Sequence, residues 1–444
     1  MGRENVIVVG SGGREHTLAD LLKGEGRMIF GAPGNPGFVS DRPQNVGIDG
    51  TKPENFQALY DFAVSNNVGM IVVGPEGPLC DGLVNFINSK GDERVKVFGP
   101  TSQAAMLEAD KFHSYRINDG LGIPQARSII CEKVEQFPRR ALDAIDALVN
   151  EHGIVLKDRG LTGGKGVSVY DSAEKARKEL LSHAYTYSGD ILVAERLKGQ
   201  EYSVFCIADG ENVKPILISF QDHKPLLDGD KGPNTGGMGA YGPAPIADRG
   251  RVARVCGKIA GPIVRNTGFQ GFLYLGMMLD ERDGVDKVIE YNVRFGDPEA
   301  QPLGMLLKRG LYEPLRLALE GRLDEAEFEF KPGAAVCVVL ATPGYPTSEY
   351  KANTKRIIHG LEAVAEMENV KAYHAGTGFD AELNIINTGG RVLGITAYGE
   401  GEDVFESIKT AQKLAYVAAG KIMFGDLTPH YRSDIGDKAF LLVT

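Results

Sequence analysis

Cysteine is scarce and scattered in this chain. Five residues, at positions 80, 131, 206, 256 and 337, include no CxxC pair, so neither a zinc site nor a disulfide framework is indicated and a reducing compartment fits. Long apolar runs are missing as well. None approaches the roughly 20 residues that a membrane-spanning helix needs, and the start, MGRENVIVVG, lacks the apolar core of a signal peptide. Val6 stands where a myristoylation signal beginning at Gly2 has Ser or Thr, so a cytoplasmic location without membrane binding is expected. There is no excess of positive charge. The balance of −10 disfavours nucleic acid and anionic membranes, while a local basic pocket for a phosphorylated metabolite fits it. A hydrolase triad is not supported, since there is no GxSxG elbow and the eight histidines show no metal-ligand spacing. His16, His223 and His374 read as hydrogen-bonding loop residues rather than nucleophiles.

Glycine, in contrast, is abundant, with 57 in 444 residues, and tight turns and loops that approach ligands are expected. The length exceeds what one core serves and predicts about two to four domains. Residues 1–109 alternate apolar runs (VIVVG, MIFGA, MIVVG, VKVFG) with helical stretches. That pattern predicts a doubly wound parallel α/β domain, with ligand loops at 10–16, 32–37 and 74–81. Residues 110–130 and 196–330 are expected to form a larger α+β unit, with helices near 249–266 and 300–320. A compact α+β subdomain over 131–195 interrupts it, with strands IVLK, VSVYD and ILVAE. Residues 331–444 read as a small α+β domain with strands AAVCVVLA, KAYHAG and RVLGITAYG and a helix over about 403–423. Val404, Ile408, Ala411, Ala415 and Ala418 make that helix's core-facing stripe.

The stretch VIEYNVRFGDPEAQ, residues 288–301, is the most informative. Alternation along a strand puts Glu290, Asn292 and Arg294 on one face and turns Ile289, Tyr291 and Val293 to a core. A carboxylate and a carboxamide two residues apart suit Mg²⁺, which takes oxygen ligands and keeps places for water and substrate phosphates. Arg294 beside them suits a bidentate grip on a carboxylate or phosphate. An ordinary surface strand is the alternative, and the GDPE loop that follows at once argues against it.

Two glycine loops need separate treatment. GSGGREH tempts a dinucleotide reading, but the third glycine of GxGxxG is Glu15, and the second strand ends in Ala-Pro-Gly-Asn without a ribose-binding acid. A phosphate on the helix N-terminus and a plain tight turn both remain open there. GLTGGKG, residues 160–166, lies between two strands and Lys165 is followed by Gly166, which excludes Walker A and predicts a β-hairpin flap. With Lys157 on the strand entering it and the Glu290/Asn292 pair elsewhere, the flap is expected to cover ATP. Glu195 and Glu201 flank a turn in a way that suits adenine and ribose. Residues 219–245 form a long loop with Asp222, His223, Lys224 and a Thr-Gly-Gly-Met-Gly run, a length usually associated with function.

These motifs, in order, resemble the phosphoribosylamine–glycine ligases (glycinamide ribonucleotide synthetases) of the ATP-grasp superfamily. VIVVGSGGREH, APGNPG, VGPEGPL, VFGPT, GGKGV, QDHK with GPNTGGMGAY and IEYNVRFGDPEAQP carry the likeness over residues 6–302, and HAGT, GGRVLGITA and YRSDIG extend it. The resemblance implies ATP-grasp central domains, a phosphoribosylamine-binding first domain and a monomer or weak dimer. It also implies ligation of glycine to 5-phosphoribosylamine with ATP and Mg²⁺ or Mn²⁺, through glycyl phosphate. Under it Lys111, Lys157, Gly160, Gly163, Gly164, Lys165 and Gly166 meet ATP phosphates, and Glu195 and Glu201 the adenosine. Glu290 and Asn292 hold the metal, and Arg294, Asp222 and Lys224 act at the reacting groups. Gly12, Gly13, Arg14, Asn35, Gly74, Pro75 and Glu76 receive the phosphoribosyl group, while His223, Thr235, Gly236, Gly237, Met238 and Gly239 close the chamber. Two departures stand out: residues 274–279 offer no further acidic metal ligand, and Arg159 in KDRG is either a variant flap residue or an extra phosphate contact. A bicarbonate-dependent ATP-grasp carboxylase and a non-catalytic nucleotide sensor are the competing readings.

Overall fold

The first strand, β1 (Asn5–Gly10), reads NVIVVG and is buried almost throughout, as a parallel strand covered on both faces by helices must be. The computed structural model describes residues 4–38, 45–161, 166–182 and 189–442. β1 lies between β2 (Ile29–Pro33) and β3 (Val68–Val73), with β4 (Lys96–Phe98) outside β3, all parallel. Because the order reverses at β1, the loops after β1 and β3 open side by side, where ligands enter such sheets. The helices here are α1 (Gly13–Leu21), α2 (Phe56–Ser65), α3 (Glu76–Cys80), α4 (Leu83–Asn88) and α5 (Ser102–Ala109).

Asp110 then caps α6 (Lys111–Leu121), its carboxylate accepting from the Phe112 and His113 amides at 2.8 and 3.2 Å. A small antiparallel sheet follows, made of β5 (Ser128–Cys131), β6 (Ile154–Asp158), β7 (Val167–Tyr170) and β8 (Ile191–Glu195) in the order β5-β8-β6-β7. Residues of α7 (Pro138–Leu148) and α8 (Ala173–Leu181) close its core. The β6–β7 hairpin carries the glycine-rich flap, of which Gly163, Gly164 and Lys165 lie outside the described residues.

The remaining strands are β9 (Gly199–Asp209), β10 (Val213–Asp222), β11 (Pro225–Leu227), β12 (Lys231–Asn234), β13 (Gly239–Gly242), β14 (Gln270–Asp280), β15 (Val285–Asn292) and β16 (Ala334–Ala341). After them come β17 (Ile358–His359), β18 (Val370–His374), β19 (Thr377–Phe379), β20 (Ile385–Asn387), β21 (Arg391–Gly399) and β22 (Met423–Phe424). Eight form one sheet in the order β15-β14-β9-β10-β13-β16-β21-β18. This sheet runs from the 196–330 unit into the 331–444 unit, joined where Gly239 pairs with Val338 and Gly242 with Ala335. Apolar runs mark most of these segments as strands, although β13 falls in the stretch expected as a loop, and no such run encodes the partner across the seam.

The helix expected near 249–266 is α9 (Arg249–Val255) and α10 (Gly261–Thr267), joined by a π-helical turn over Cys256–Ala260. The one expected near 300–320 is two helices, α11 (Ala300–Leu306) and α12 (Tyr312–Leu319). The chain breaks there to dock on the end of α1: Leu311 N donates to Leu21 O at 2.7 Å, and a Cβ on Gly310 would lie 2.3 Å from that oxygen. Beyond α13 (Leu361–Ala365), α14 (Val404–Ala419) packs Ile408, Ala411, Ala415 and Ala418 into a core with β16 and β21. All five cysteines are free, and Cys206 Sγ touches Cys256 Sγ at 2.8 Å in the core. Among the described residues no helix is long and apolar enough to cross a membrane.

Candidate active site

On β15, Glu290 stands opposite Gly276 of β14 and Asn292 opposite Tyr274. A bulge between Gly276 and Met277 leaves Ile289 unpaired, and its carbonyl accepts Lys157 Nζ at 3.0 Å. A Cβ on Gly276 would sit 2.9 Å from Glu290 Cγ, so the position facing Glu290 has no room for an acidic side chain. Lys224, two residues past β10, places Nζ 3.3 Å from Glu290 Oε1 and 3.6 Å from Glu201 Oε2 of β9. Burial works to raise the Glu290 carboxyl, yet Lys224 and Lys157 outweigh it and hold it at about 2. Burial also works to lower Lys224, and Glu290, Asp222 and Glu201 hold it well above the usual lysine range. An ionised carboxylate already facing a cation, beside a carboxamide oxygen, is a donor set that fits a divalent metal. Among the described residues no cluster of three or more His, Cys, Asp or Glu side chains is placed to hold one, so water and phosphate oxygens would complete the shell.

Lys111 donates to Gly160 O at 2.9 Å, and burial lowers both its ammonium and that of Lys157. Both lysines hold backbone carbonyls rather than carboxylates, a pairing that a phosphate oxygen readily replaces. Gly166 closes the flap's base, its carbonyl taking the Asp158 amide at 2.7 Å. Glu195 is buried and committed to protein partners: its oxygens accept from the Arg127 amide at 3.1 Å and from the Arg127 and Arg282 guanidiniums at 3.2 Å each. Glu201 is half exposed beside Lys224. Arg159 binds Asp110 at 2.7 Å and Asp190 at 3.0 Å, which ties the flap strand to the cap of α6.

On the opposite side lie the loops after β1 and β3. Glu15 takes the Gly12 amide on Oε2 and Arg14 Nε on Oε1, both at 2.6 Å, and packs against Gly10 and Gly74. Its carboxylate thereby fills the crevice between β1 and β3 that a dinucleotide pyrophosphate would enter. Gly13 opens α1, Pro75 precedes α3, and Asn35 Nδ2 donates to Ser11 O and His374 O at 2.8 Å each. Arg14 reaches Phe295 O at 3.1 Å, and Arg294 donates to Glu76 at 3.1 Å and to Glu108 at 2.8 Å. Burial works against the Glu76 carboxylate, but Arg294 and Arg14 hold it at about 2, whereas burial pushes Glu108 up to about 7.

Residues 219–245, expected as one long loop, are instead the end of β10, the β11–β12 hairpin and β13 with their connections, because their backbone pairs locally and with β16, and they close the third side. Thr235 Oγ1 donates to Lys224 O at 2.7 Å and accepts the Gly237 amide at 3.0 Å. Gly236 N donates to the Tyr345 hydroxyl at 3.0 Å, and Gly237, at φ +109°, passes so near Pro298 that a Cβ would lie 2.5 Å from it. His223 pairs its backbone with Gly239 O and Met238 N, its ring is buried, and burial lowers it to about 3, so it is neutral at pH 7. Met238 is a core side chain. Burial raises Asp222, and burial with Asp222 raises Glu299, which also accepts from Ser203 Oγ at 3.4 Å.

Four site residues escaped the sequence reading: Glu108, Asp297, Glu299 and Arg391. Arg391 donates to Gly236 O at 2.6 Å and Asp297 O at 2.8 Å, joining the start of β21 to Gly236 and to the turn after β15. A charged residue opening the apolar run RVLGITA was its only local sign, GDPE held two of the others, and nothing nearby marks Glu108.

Models of the phosphoribosylglycinamide synthetase family match three consecutive parts of the chain: the N domain over residues 4–108, the ATP-grasp (A) domain over 109–300 and the C domain over 335–438. The chain is 41% identical to phosphoribosylamine–glycine ligase of Rhodopirellula baltica, covering 99% of each. The crystal structure of phosphoribosylamine–glycine ligase from Thermotoga maritima is similar at a TM-score of 0.76, with 29% identity, over 97% of this chain and 100% of that one. The biotin carboxylase domain of Hydrogenobacter thermophilus 2-oxoglutarate carboxylase shares the fold alone, at 15% identity and a TM-score of 0.66, over 96% of this chain and 91% of that one.

Proposed function

Because the chain belongs to the phosphoribosylglycinamide synthetase family, we propose that this site joins glycine to 5-phosphoribosylamine with ATP, giving glycinamide ribonucleotide, ADP and phosphate in purine biosynthesis. The chain is an ATP-dependent ligase. The observation that carries the substrate reading is the meeting of Lys224, Lys157 and Arg294 around the end of β15, with the loops after β1 and β3 opening onto it through Glu76.

A glycine carboxylate oxygen attacks the γ-phosphorus and ADP leaves. The phosphoribosylamine nitrogen then attacks the carbonyl carbon of glycyl phosphate, phosphate leaves and the nitrogen gives up a proton. No protein nucleophile takes part, so the residues act by position and charge. Lys111 and Lys157, paired only to carbonyls, turn to ATP phosphates, and Arg294 and Lys224 balance the charge of the acyl phosphate. The loops at Gly12–Arg14 and Glu76, with Asn35, orient the ribose phosphate. Mg²⁺ or Mn²⁺, implied by the family, would be held by Glu290 and Asn292 and would neutralise phosphate charge. Five free thiols support a reducing, cytoplasmic setting.

The test is ADP release from MgATP and glycine, with and without phosphoribosylamine generated in situ, beside Glu290→Ala. Release that needs both co-substrates and is lost in the variant supports the ligase. Release that ignores glycine and answers to bicarbonate supports a carboxylase, and none at all supports a sensor.

A further inference from the structure

The segment YRSDIG contains Arg432, a charged side chain only 1% exposed. Its guanidinium donates to Asp434 at 2.7 Å within its own segment, and to Asp230 at 2.9 Å and Pro225 O at 3.1 Å across the chain. Its neighbours reach the same place. Ser433 N donates to Asp228 at 2.8 Å, Gly229 N donates to Asp434 at 2.8 Å, Lys438 Nζ lies 2.8 Å from Asp230, and the His430 ring meets Leu226 O at 3.1 Å. The partners of the guanidinium outside its own segment both belong to residues 225–230, in the β11–β12 hairpin, while the Tyr416 hydroxyl of α14 holds the segment from behind by donating to Arg432 O at 2.9 Å.

That hairpin is a two-stranded sheet with β12 exposed, too small to hold a fixed position unaided. It begins at the residue bonded to Lys224 and returns where Thr235 N and Oγ1 donate to Lys224 O at 2.9 and 2.7 Å. The backbone on both sides of the Lys224 carbonyl is therefore tied, on one side by Arg432. From this seat Lys224 Nζ reaches Glu290 and Glu201.

We propose that Arg432 is a positioning residue of the ligase reaction, holding the chain at Pro225 so that the Lys224 ammonium faces the Glu290 carboxylate; this rests on the function proposed above. Asp230 is 43% exposed and stays hydrated when Arg432 is replaced, so loss of the arginine leaves no fully buried unpaired charge on the hairpin.

The experiment is a double-mutant cycle on steady-state turnover with Arg432→Met, Lys224→Ala and the pair, with Arg432→Lys beside them. Arg432→Met is expected to lower kcat about tenfold or more while KM for ATP stays within about threefold, with partial recovery in Arg432→Lys. In the Lys224→Ala background it is expected to change kcat by less than about twofold, because the route it acts through is gone. Losses that multiply, or wild-type kcat in Arg432→Met, overturn the proposal. Amide exchange of Thr235, whose N–H is held by Lys224 O, decides independently, also in Asp230→Asn should Arg432→Met fail to fold: faster exchange is expected, and unchanged protection overturns the role. A wild-type chain that needs neither glycine nor phosphoribosylamine overturns the ligase reading instead, while the exchange measurement still reads the clamp.

Discussion

Lys224 Nζ stands 3.3 Å from Glu290 Oε1, although the two residues lie 66 positions apart, one just past the end of β10 and the other on β15. The pair places an ammonium and a carboxylate at one point, both partly shielded from solvent, so charge arriving on phosphates meets groups already oriented. That preorganisation is the physical core of the site.

Glu290→Gln keeps the shape and removes the charge. Its kcat is expected to fall on the order of 100-fold, with a higher half-saturating Mg²⁺ concentration, since the group removed is held ionised and faces the cation. ADP release against Mg²⁺ concentration checks both. Near-normal turnover at ordinary Mg²⁺ would remove Glu290 from the metal's donor set.

Glu299 gives a pH dependence of stability. In the folded chain its carboxyl holds a proton up to about 7, because of burial and Asp222, against an ordinary value of 4.5 in the unfolded chain. Between these values the folded state binds more protons, so this group's contribution to stability falls as pH rises through the window. Glu299→Gln, which mimics the protonated acid, is expected to flatten that part of the Tm profile and to gain most over the wild type above pH 7. Parallel Tm curves for the two proteins would contradict this.

Glu76→Gln weakens the ion pair to Arg294 on the side of the loops after β1 and β3. KM for phosphoribosylamine is expected to rise about tenfold, roughly 1.4 kcal/mol, with KM for ATP unchanged. A rise confined to ATP would place the phosphoribosyl group elsewhere.

Arg159 separates its two sequence readings by a simple comparison. Its side chain is 40% exposed and holds Asp110 and Asp190, so Arg159→Met is expected to cost about 1 kcal/mol or less of stability and to leave KM for ATP within about twofold. Thermal unfolding and an ATP titration measure the two effects. A large rise in KM for ATP would favour the phosphate contact.

Much of the site was legible because its signals are local. Alternation at 288–294 is a property of one strand, and it placed Tyr291 and Val293 in the core and Glu290, Asn292 and Arg294 on a less buried face, while Ile289, expected in the core with them, is only half-buried at the bulge. The bulge at Ile289 was not legible, since it arises from the pairing of β15 with β14 and not from β15 alone. Glu195 shows the same limit: its place beside a turn suited adenine and ribose, and nothing local announced that the fold brings it Arg127 and Arg282, one of them 87 positions away.

By itself the sequence determined the order of the main strands and helices, the glycine turns, the acid and amide on one strand face, and the family. These follow from periodicity and short spacings, which act between neighbours along the chain. Tertiary structure alone decided that one sheet unites the central and last parts of the chain, that Arg294 is held by Glu108 from 186 positions away, and that Arg432 grips the chain beside Lys224. Such pairings depend on which distant elements pack together, and a buried charge takes whatever partner that packing supplies.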